Sequence, residues 1–233
     1  MSKVLWKGKD VLRIVKGHGP SDWNAYGISI DTRTLRKGDI FFALAGPNYD
    51  GHQFINEAIK KGACVVVSNA PVLNHEKKVI VVNDVFKALI ALGKSSRNRN
   101  KGKIIAVTGS SGKTTVKEML ALSLSDSGKI HYSQSSYNNK IGVSLSLARM
   151  PADTDFSIFE VGMNNYGEIS YLSKMIKPDI GLINNAGSAH IKYFKSKKEI
   201  EKEKLELIHG LNSGGSLVLN EDISINKSIK NFS

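Results

Sequence analysis

Residues with the chemistry of phosphate binding lie in a short turn near the middle of the chain. Residues 108–120 read TGSSGKTTVKEML, and the apolar run IIAV stands directly before them. Backbone N–H groups in such a turn and at the start of the next helix can surround a phosphate, Lys113 can reach its outer oxygens, and the Thr114 hydroxyl can hold Mg²⁺. A glycine-rich connection with a capping threonine is the alternative, but the position between a strand and a helix favours nucleotide binding.

The turn is shorter than the common phosphate-loop pattern, G-x-x-x-x-G-K-[ST]. That pattern places a glycine five residues before Gly112, where this sequence has Val107. The helix after the turn is expected to carry Val116, Met119 and Leu120 on one face. The residues of the turn that we predict to contact the nucleotide are Thr108, Gly109, Ser110, Ser111, Gly112, Lys113, Thr114 and Thr115.

Two further strand ends carry side chains that suit a metal site. The run FSIFEV places Glu160 near its carboxyl end, and DIGLINN leads into AGSAH, which places His190 just past another strand end. Taken alone, a solvated glutamate and a structural histidine are the more common interpretations. An acidic residue after an apolar strand is nevertheless where phosphate-loop enzymes place a metal ligand. Because ligands bind beyond the carboxyl ends of parallel strands, the three strand ends can converge on one crevice.

The last helical pattern of the chain contains a lysine among apolar residues. A capping box at Ser196 and Glu199 predicts the start of this helix, and Gly210 predicts its end. On a helical wheel Lys204 falls in the middle of an apolar arc, with the charged neighbours Glu201 and Glu203 outside it or at its margin. The apolar residues of the arc are Ile200, Leu207, Ile208 and Leu211. Such a lysine either extends to the surface or serves a site that needs it.

Apolar runs typical of buried strands alternate with helical patterns throughout the chain. In the first half DIFFALA, ACVVVS and VIVV alternate with FINEAIKKG and VFKALIALGK. In the second half IIAVT, FSIFEV and DIGLINN are separated by further helical patterns, one of them near residues 168–176. Short apolar strands separated by helices predict an α/β fold with mainly parallel sheets buried on both faces.

A polar, basic segment divides the chain. KSSRNRNKGK, at residues 94–103, lacks apolar periodicity and precedes a fresh strand, so we favour an interdomain linker over a surface loop. We predict a small α/β domain at residues 1–96, a linker at residues 97–103 and a mononucleotide-binding domain at residues 104–233. The last residues, NEDISINKSIKNFS, do not close that second domain convincingly.

The composition is that of a globular protein with a basic surface. The 233 residues are 41% hydrophobic and 23% charged, with a formal net charge of +12. The lysines are scattered, so we favour a surface suited to small anionic substrates over nucleic-acid binding. The single cysteine, Cys64, is expected to be a small core residue. No apolar run approaches the roughly 20 residues of a membrane span, and we expect a cytoplasmic location.

Five sequence blocks resemble, in order, those of the ATP-dependent Mur ligases of peptidoglycan synthesis. TGSSGKTT is similar to the shortened loop of that family, T-G-x-x-G-K-T-T. YNNKIGVSLSL resembles its N-N-x-x-G-V-P-x-x-L segment, and FEVGMNNYGEISYL resembles its E-M-G-x-N-x-x-G-E-I segment. NNAGSAHIKYFKSKKEIEKEKLELIHGL resembles its T-N-x-G-x-A-H-L…F-G-S…A-K-x-E-I stretch. SIDTRTLRKGDIFFALAGPNYDGHQFINEAIKKGA resembles its N-terminal S-x-D-S-R…G-D-x-F-x-A-L-x-G…D-G-H-x-F segment.

The resemblance implies a catalytic site for ATP and two Mg²⁺ ions. Thr114 and Glu160 would bind one ion, and His190 and a carbamylated Lys204 would help to bind the second, with Lys113 on the phosphates. A neutral lysine amine can react with CO₂ to give an anionic ligand. That reaction would supply a reason for a lysine on an apolar stripe.

The resemblance also implies where the substrates bind. Asn138 and Asn139 would face the nucleotide or the peptide end. The residues associated with the UDP-sugar end are Thr32, Arg33, Asp50, Gly51 and His52. Four positions depart from the family pattern without removing a proposed ligand: Thr32 replaces a serine, Ser144 a proline, Asn184 a threonine and Lys195 a glycine.

The blocks most resemble the family members that add D-alanyl-D-alanine to UDP-N-acetylmuramoyl-tripeptide through an acyl phosphate. The likeness runs from about Val4 to about Asn220 and leaves out the family's C-terminal domain, so we expect a monomeric fragment that keeps precursor binding but not catalysis. The alternatives are a sister ligase that adds a diamino acid, a folate polyglutamylating enzyme, a nucleotide-binding module that never ligates, and a basic nucleic-acid binder.

Overall fold

The chain folds into two compact units. The computed structural model describes residues 3–47, 49–187, 194, 196–221 and 223. The first unit comprises Met1–Asn100 and Ser144–Ala152, and the second comprises Lys101–Val143 and Asp153–Ser233. The boundary at residue 100 lies inside the predicted linker. Residues 144–152, which the sequence placed in the second domain, cluster with the first unit instead.

The first unit is built on a four-stranded parallel sheet. Its strands run in the order β3-β4-β7-β8, and β4 and β7 are buried at every residue, as expected where both faces of a sheet are covered. Two short antiparallel pairs, β1–β2 and β5–β6, accompany it. The elements in chain order are β1 (Trp6–Lys7), α1 (Gly8–Val15), β2 (Asn24–Ala25), β3 (Gly27–Ser29), β4 (Asp39–Phe42), β5 (Ala45–Gly46), β6 (Tyr49–Asp50), α2 (Ile55–Lys60), β7 (Val65–Ser68), β8 (Val79–Val81) and α3 (Val85–Arg99).

Two details of the first unit bear on predictions from the sequence. Helix α3 continues to Arg99, so residues 97–99 of the predicted linker are helical. The segment looked unstructured because its polar residues mask the periodicity, yet Ser96 is buried and donates to the carbonyl of Met150 at 2.8 Å. Cys64, which the sequence placed in the core, is half-buried, and burial raises the pKa of its thiol to about 11, so that the thiol stays protonated at neutral pH.

The second unit is built on a five-stranded parallel sheet. The strand order is β10-β11-β9-β12-β13, which confirms an α/β fold with mainly parallel sheets. The register pairs Glu160 with Val107 and Ile183 with Thr108, so the ends of β9, β11 and β12 meet at one edge. The elements after residue 100 are β9 (Lys103–Thr108), α4 (Lys113–Leu124), β10 (Ile130–Tyr132), α5 (Lys140–Arg149), β11 (Phe156–Glu160), α6 (Glu168–Ile176), β12 (Ile180–Ile183), α7 (Lys197–Leu205) and β13 (Ser216–Leu219). Of these, α5 begins in the second unit, and its residues 144–149 cluster with the first.

Helix α4 does not bury the face that the sequence predicted. Val116 and Leu120 pack against the sheet as expected, but Met119 is 62% exposed and Lys117 is fully buried. Successive helical residues are turned by about 100°, so residues 116, 117, 120, 121 and 124 share an arc of about 140° that leaves Met119 outside. Hydrophobicity alone therefore predicted that Met119 is buried, whereas the structure buries Lys117.

Helix α7 begins as predicted and ends differently. Ser196 Oγ accepts a hydrogen bond from the backbone N–H of Glu199 at 3.3 Å, which confirms the N-cap. The regular helix stops at Leu205, and Glu206–Gly210 continues as a tighter 3₁₀ segment. None of the helices in the described ranges is long and apolar enough to cross a membrane.

Candidate active site

The turn between β9 and α4 has the backbone of a phosphate-binding loop. Gly112 adopts a left-handed conformation with φ of 72°, which favours glycine, and a Cβ at this position would lie 2.8 Å from Asn184 Nδ2 and would displace that amide. Helix α4 starts at the next residue, and its N-cap is Gly112, which has no side chain to bind the N–H groups of the first turn. The N–H groups at a helix start and the helix dipole favour an anion at this end.

Two asparagines after β12 fasten the turn. Asn185 Oδ1 accepts from the backbone N–H of Ser111 at 3.0 Å, and the carbonyl of Asn185 accepts from the N–H of Ser110 at 3.1 Å. Asn184 Nδ2 donates to the carbonyl of Ser111 at 3.0 Å. The sequence marked Asn184 only as a departure from the family pattern and gave Asn185 no role. Their contacts span more than 70 residues of chain, which no local pattern reveals.

The turn residues predicted from the sequence differ in their surroundings. Lys113 Nζ donates to the carbonyl of Gly109 at 2.9 Å, so the ammonium lies over the turn. Burial lowers the pKa of Lys113, while the charge of Glu160 acts in the opposite direction. Thr108 is buried as the last residue of β9, and Thr115 is exposed in the first turn of α4.

Glu160 is a buried carboxylate held by two side chains. Its Oε2 accepts from the Thr114 hydroxyl and its Oε1 accepts from Asn138 Nδ2, each at 2.8 Å. Its backbone N–H donates to Ser133 Oγ at 3.3 Å, and the residue is 1% exposed. The structure thus brings together the hydroxyl and the carboxylate that the sequence placed at neighbouring strand ends. Both are hard oxygen donors, and this donor set fits Mg²⁺.

The two adjacent asparagines of the YNNK segment have different contacts. Besides holding Glu160, Asn138 accepts at its carbonyl from the N–H of Gly162 at 2.9 Å. Asn139 Oδ1 accepts from the N–H of Gly142 at 2.8 Å and so caps the start of α5. Asn138 is therefore part of the carboxylate environment, while the Asn139 side chain is used in local structure.

Lys204 is buried beside the same group of residues. It is 1% exposed, and burial, followed by the charge of Lys113, lowers its pKa to about 8. The charges of neighbouring residues thus shift the pKa of both lysines. The charge of Glu160 acts to raise the pKa of Lys113, and the charge of Lys113 acts to lower the pKa of Lys204. His190, the remaining member of the predicted metal set, lies outside the described residues, as does Lys195.

The glutamates of α7 are more buried than the wheel predicted. Glu201 and Glu203 are 7% and 6% exposed. Glu203 accepts from the N–H of Gly167 at 2.8 Å, and Glu199 accepts from the Tyr166 hydroxyl at 2.7 Å. Helix α7 therefore binds the loop after β11, and burial raises the pKa of Glu203. The helical wheel did not predict the burial of these glutamates, because it considers hydrophobicity and not hydrogen-bond partners.

The residues predicted to bind the UDP-sugar end lie in the first unit. Arg33 pairs with Asp31 through hydrogen bonds of 2.6 to 3.0 Å, and this pairing lowers the pKa of Asp31. Thr32 is buried, and its carbonyl accepts from Lys61 Nζ at 2.9 Å. The remaining three residues form one turn. Asp50 Oδ1 lies 2.6 Å from His52 Nδ1, and Gly51 packs so closely on the backbone of Leu44 that no side chain fits there.

Two domain models match this chain. The Mur ligase middle domain matches residues 107–233, more than half of the sequence, and the catalytic domain of the Mur ligase family matches residues 24–110. The chain belongs to the Mur ligase family.

Relatives and solved structures agree with this assignment. The Mur ligase chain is 37% identical to the UDP-N-acetylmuramoyl-tripeptide--D-alanyl-D-alanine ligase of Rickettsia prowazekii over 93% of its own length and 48% of the relative. It resembles a crystal structure of MurF from Acinetobacter baumannii with a TM-score of 0.85 and 30% identity, over 97% of this chain and 51% of that one. MurF from Thermotoga maritima, solved in complex with ADP, gives a TM-score of 0.75 and 28% identity over 88% and 48%.

The matches cover only part of each relative. The chain spans about half the length of the curated relatives that it matches. The activity and substrates of those longer proteins are therefore inferences when applied to this Mur ligase chain.

Proposed function

We propose that this chain carries the ATP site and the precursor-binding domain of a ligase that joins D-alanyl-D-alanine to UDP-N-acetylmuramoyl-tripeptide. The observation that carries the proposal is the 2.8 Å contact between Thr114 and Glu160, beside a glycine turn that holds Lys113. Relatives that bear the name of this ligase support the choice of substrates. A structure of one MurF in complex with ADP supports the choice of nucleotide.

The proposed reaction has two steps. The terminal carboxylate of the tripeptide attacks the γ-phosphorus of ATP, so that an acyl phosphate forms and ADP leaves. The amine of D-alanyl-D-alanine then attacks the acyl carbon, loses a proton, and phosphate leaves from the tetrahedral intermediate. Lys113 and the N–H groups at the start of α4 bind the phosphate oxygens. Bound Mg²⁺ would neutralise negative charge that the carboxylate and phosphate oxygens share.

Thr114 and Glu160 would hold the first Mg²⁺ ion. The Asn138 amide binds the second carboxylate oxygen of Glu160, which fixes the orientation of the group. Outer hydrogen bonds of this kind orient the groups that ligate a metal.

Lys204 and His190 would help to hold a second ion, with Lys204 as a carbamate. An ammonium cannot ligate a cation, but a lysine with a pKa of about 8 is about one-tenth neutral at pH 7. The neutral amine attacks CO₂, loses a proton and becomes an anionic oxygen ligand. Lys113, whose charge disfavours protonated Lys204, would stabilise the carbamate instead.

The first unit would hold the UDP-sugar end of the precursor. Arg33 offers a guanidinium whose side chain is 86% exposed, and guanidinium groups bind diphosphates well. Thr32 and the turn formed by Asp50, Gly51 and His52 would contribute further polar contacts, because the family pattern associates both segments with this substrate.

Binding of Mg²⁺ and ATP to the purified chain tests the proposal. Lys113→Ala and Glu160→Gln are expected to weaken binding of ATP in the presence of Mg²⁺ at least about tenfold, since each removes an electrostatic partner of the phosphates or the metal. Isothermal titration calorimetry measures the change. Lys101→Ala, which removes an exposed lysine from the same unit, is the matched control and should stay within about twofold.

Several results would contradict the proposal. Wild-type chain that shows no Mg²⁺-dependent binding of ATP, or a Lys113→Ala variant that binds as tightly as wild type, would exclude this use of the turn. A second set of titrations compares the affinity of the chain for UDP-N-acetylmuramoyl-tripeptide with its affinity for the dipeptide form. Preference for the dipeptide would indicate the sister ligase, and binding of ATP with neither precursor would indicate a nucleotide-binding module.

A further inference from the structure

Lys117 is buried in α4 one turn after Lys113. It is 0% exposed, and its ammonium donates to the carbonyl of Ser133 at 2.7 Å and to the carbonyl of Ser135 at 2.9 Å. Its third contact is Glu118 Oε1 at 3.1 Å, from a side chain that is half-exposed. An ammonium has three donors, so these three acceptors satisfy it completely.

Burying a charge in this position costs free energy of folding, so a lysine here is expected to have a role. Taking an ammonium out of water is unfavourable, and an apolar side chain of similar size is often as stable in such a place. The neighbouring Met119 is exposed on the same helix, so the chain has an apolar residue nearby that it leaves in solvent. Two of the three acceptors are backbone carbonyls of one loop. The buried ammonium therefore stabilises the conformation of that loop.

The loop bound by Lys117 leads directly to the carboxylate of Glu160. Ser135 adopts a left-handed conformation with φ of 48°, which is unfavourable for a serine, and its carbonyl is one of the two that Lys117 binds. Three residues later Asn138 donates to Glu160 Oε1 at 2.8 Å. The loop starts from Ser133, whose Oγ accepts from the backbone N–H of Glu160.

We infer that Lys117 is a positioning residue for the metal-binding carboxylate. It fixes the backbone of residues 133–135, and this fixes Asn138, which in turn holds one oxygen of Glu160 while the other faces Thr114. The effect of Lys117 on the loop follows from these hydrogen bonds alone. Its effect on Mg²⁺ binding rests on the proposed function of Glu160. Lys117 itself touches neither nucleotide nor metal in this arrangement.

Hydrogen exchange measures the positioning without any ligand. Lys117→Met keeps the length of the side chain and removes the ammonium. We expect amide exchange of the bonded N–H groups of Ser133, Asn138 and Gly162 to become at least about tenfold faster, with exchange in β9 unchanged. Lys174→Met removes an exposed lysine from the same unit and should leave all of these rates at their wild-type values. Unchanged exchange in the loop of Lys117→Met would overturn the inference.

A second variant covers the outcome in which Lys117→Met does not fold, which faster exchange in β9 would reveal. Ser135→Pro locks φ near −65° and so excludes the left-handed conformation, while Lys117 stays in place. Because Ser135 is exposed, the core is not disturbed. The same acceleration at Asn138 and Gly162 is expected, and wild-type exchange in this variant would overturn the inference.

Nucleotide binding separates positioning from general loosening. In Lys117→Met the Kd for ATP with Mg²⁺ is expected to rise about tenfold, as for other outer partners of metal ligands, while the Kd for ATP without Mg²⁺ stays within about twofold. Equal weakening of both would overturn a role at the metal. Should wild-type chain fail to bind ATP at all, the proposed function fails, and the exchange rates still decide whether Lys117 positions the loop.

Discussion

At the scale of single residues, the site depends on charges that the fold places out of water. Lys113 and Lys204 both have lowered pKa values because of burial, and Lys113 further disfavours the charged form of Lys204. Glu160 is buried as deeply as Lys204 but accepts hydrogen bonds from a hydroxyl and an amide. In the proposed function these groups would bind anions and metal ions, and burying them costs free energy of folding.

Lys204 should make the stability of the chain depend on pH. Its pKa falls from 10.5 to about 8 on folding, so between these values the unfolded chain binds more protons and stability rises with pH. Below about pH 8 the lysine is charged in both states and the burial penalty is complete. Relative to Lys204→Met, the wild-type free energy of unfolding is expected to increase by up to about 3 kcal/mol from pH 8 to pH 10.5.

Urea unfolding in CO₂-free buffers measures this difference, since a carbamate would remove the amine from the titration. Lys174→Met, which loses an exposed lysine from the same unit, is the control for removing a positive charge. A flat difference for Lys204→Met would show that the amine has an ordinary pKa in the folded chain.

At the scale of elements, two helices contribute to the site. Helix α4 begins with the phosphate turn and anchors the loop before α5 through Lys117. Helix α7 carries Lys204, and Glu203 and Glu199 bind the loop after β11. The site therefore depends on where each helix begins as well as on the residues that it carries.

The start of α7 can be tested at its N-cap. Ser196→Ala removes the side-chain oxygen that accepts from the N–H of Glu199 and is expected to lower the free energy of unfolding by about 1 kcal/mol. Ser196→Gly should cost only a few tenths of a kcal/mol, because glycine is tolerated at this position. Chemical denaturation compares the two. Equal stability of Ser196→Ala and wild type would mean that the cap contributes nothing to this helix.

At the scale of the whole molecule, the chain separates its chemistry into two units. The phosphate turn, Glu160 and Lys204 belong to the second unit, and Thr32, Arg33 and the turn at residues 50–52 belong to the first. Each unit has a parallel sheet of its own. The net charge of +12 favours the approach of anionic ligands, among them the ATP and UDP-linked precursor of the proposed function.

Because the two sets of residues lie in different units, we expect that one substitution can weaken binding of ATP or of the UDP-linked precursor without affecting the other. Arg33→Ala is expected to weaken binding of UDP-N-acetylmuramoyl-tripeptide by about tenfold, because it removes a charge-assisted contact, and to leave ATP binding within about twofold. Lys113→Ala should show the reverse. Titration of each variant with both ligands measures the pattern, and loss of both ligands in either variant would argue against separate binding units.

Much of the fold was predictable because its signals are local. Apolar runs located the buried strands, and residues 168–176 form the predicted helix α6. The capping serine of α7 was also visible in the sequence. The errors arose where tertiary contacts override local pattern, as at Met119, at the buried Glu201 and Glu203, and at the end of α3.

The sequence by itself predicted the glycine turn before α4, the alternation of six apolar strands with helices, and the set of blocks that resembles the Mur ligases. These depend on neighbouring residues, whose spacing fixes turns, caps and periodicity. Only the tertiary structure decided that Asn138 and Thr114 share Glu160, that Asn185 fastens Ser111, and that Lys117 anchors the loop of Ser133. The physical reason is that a buried polar group must find its partner wherever the fold supplies one, and that partner is usually far away in the sequence.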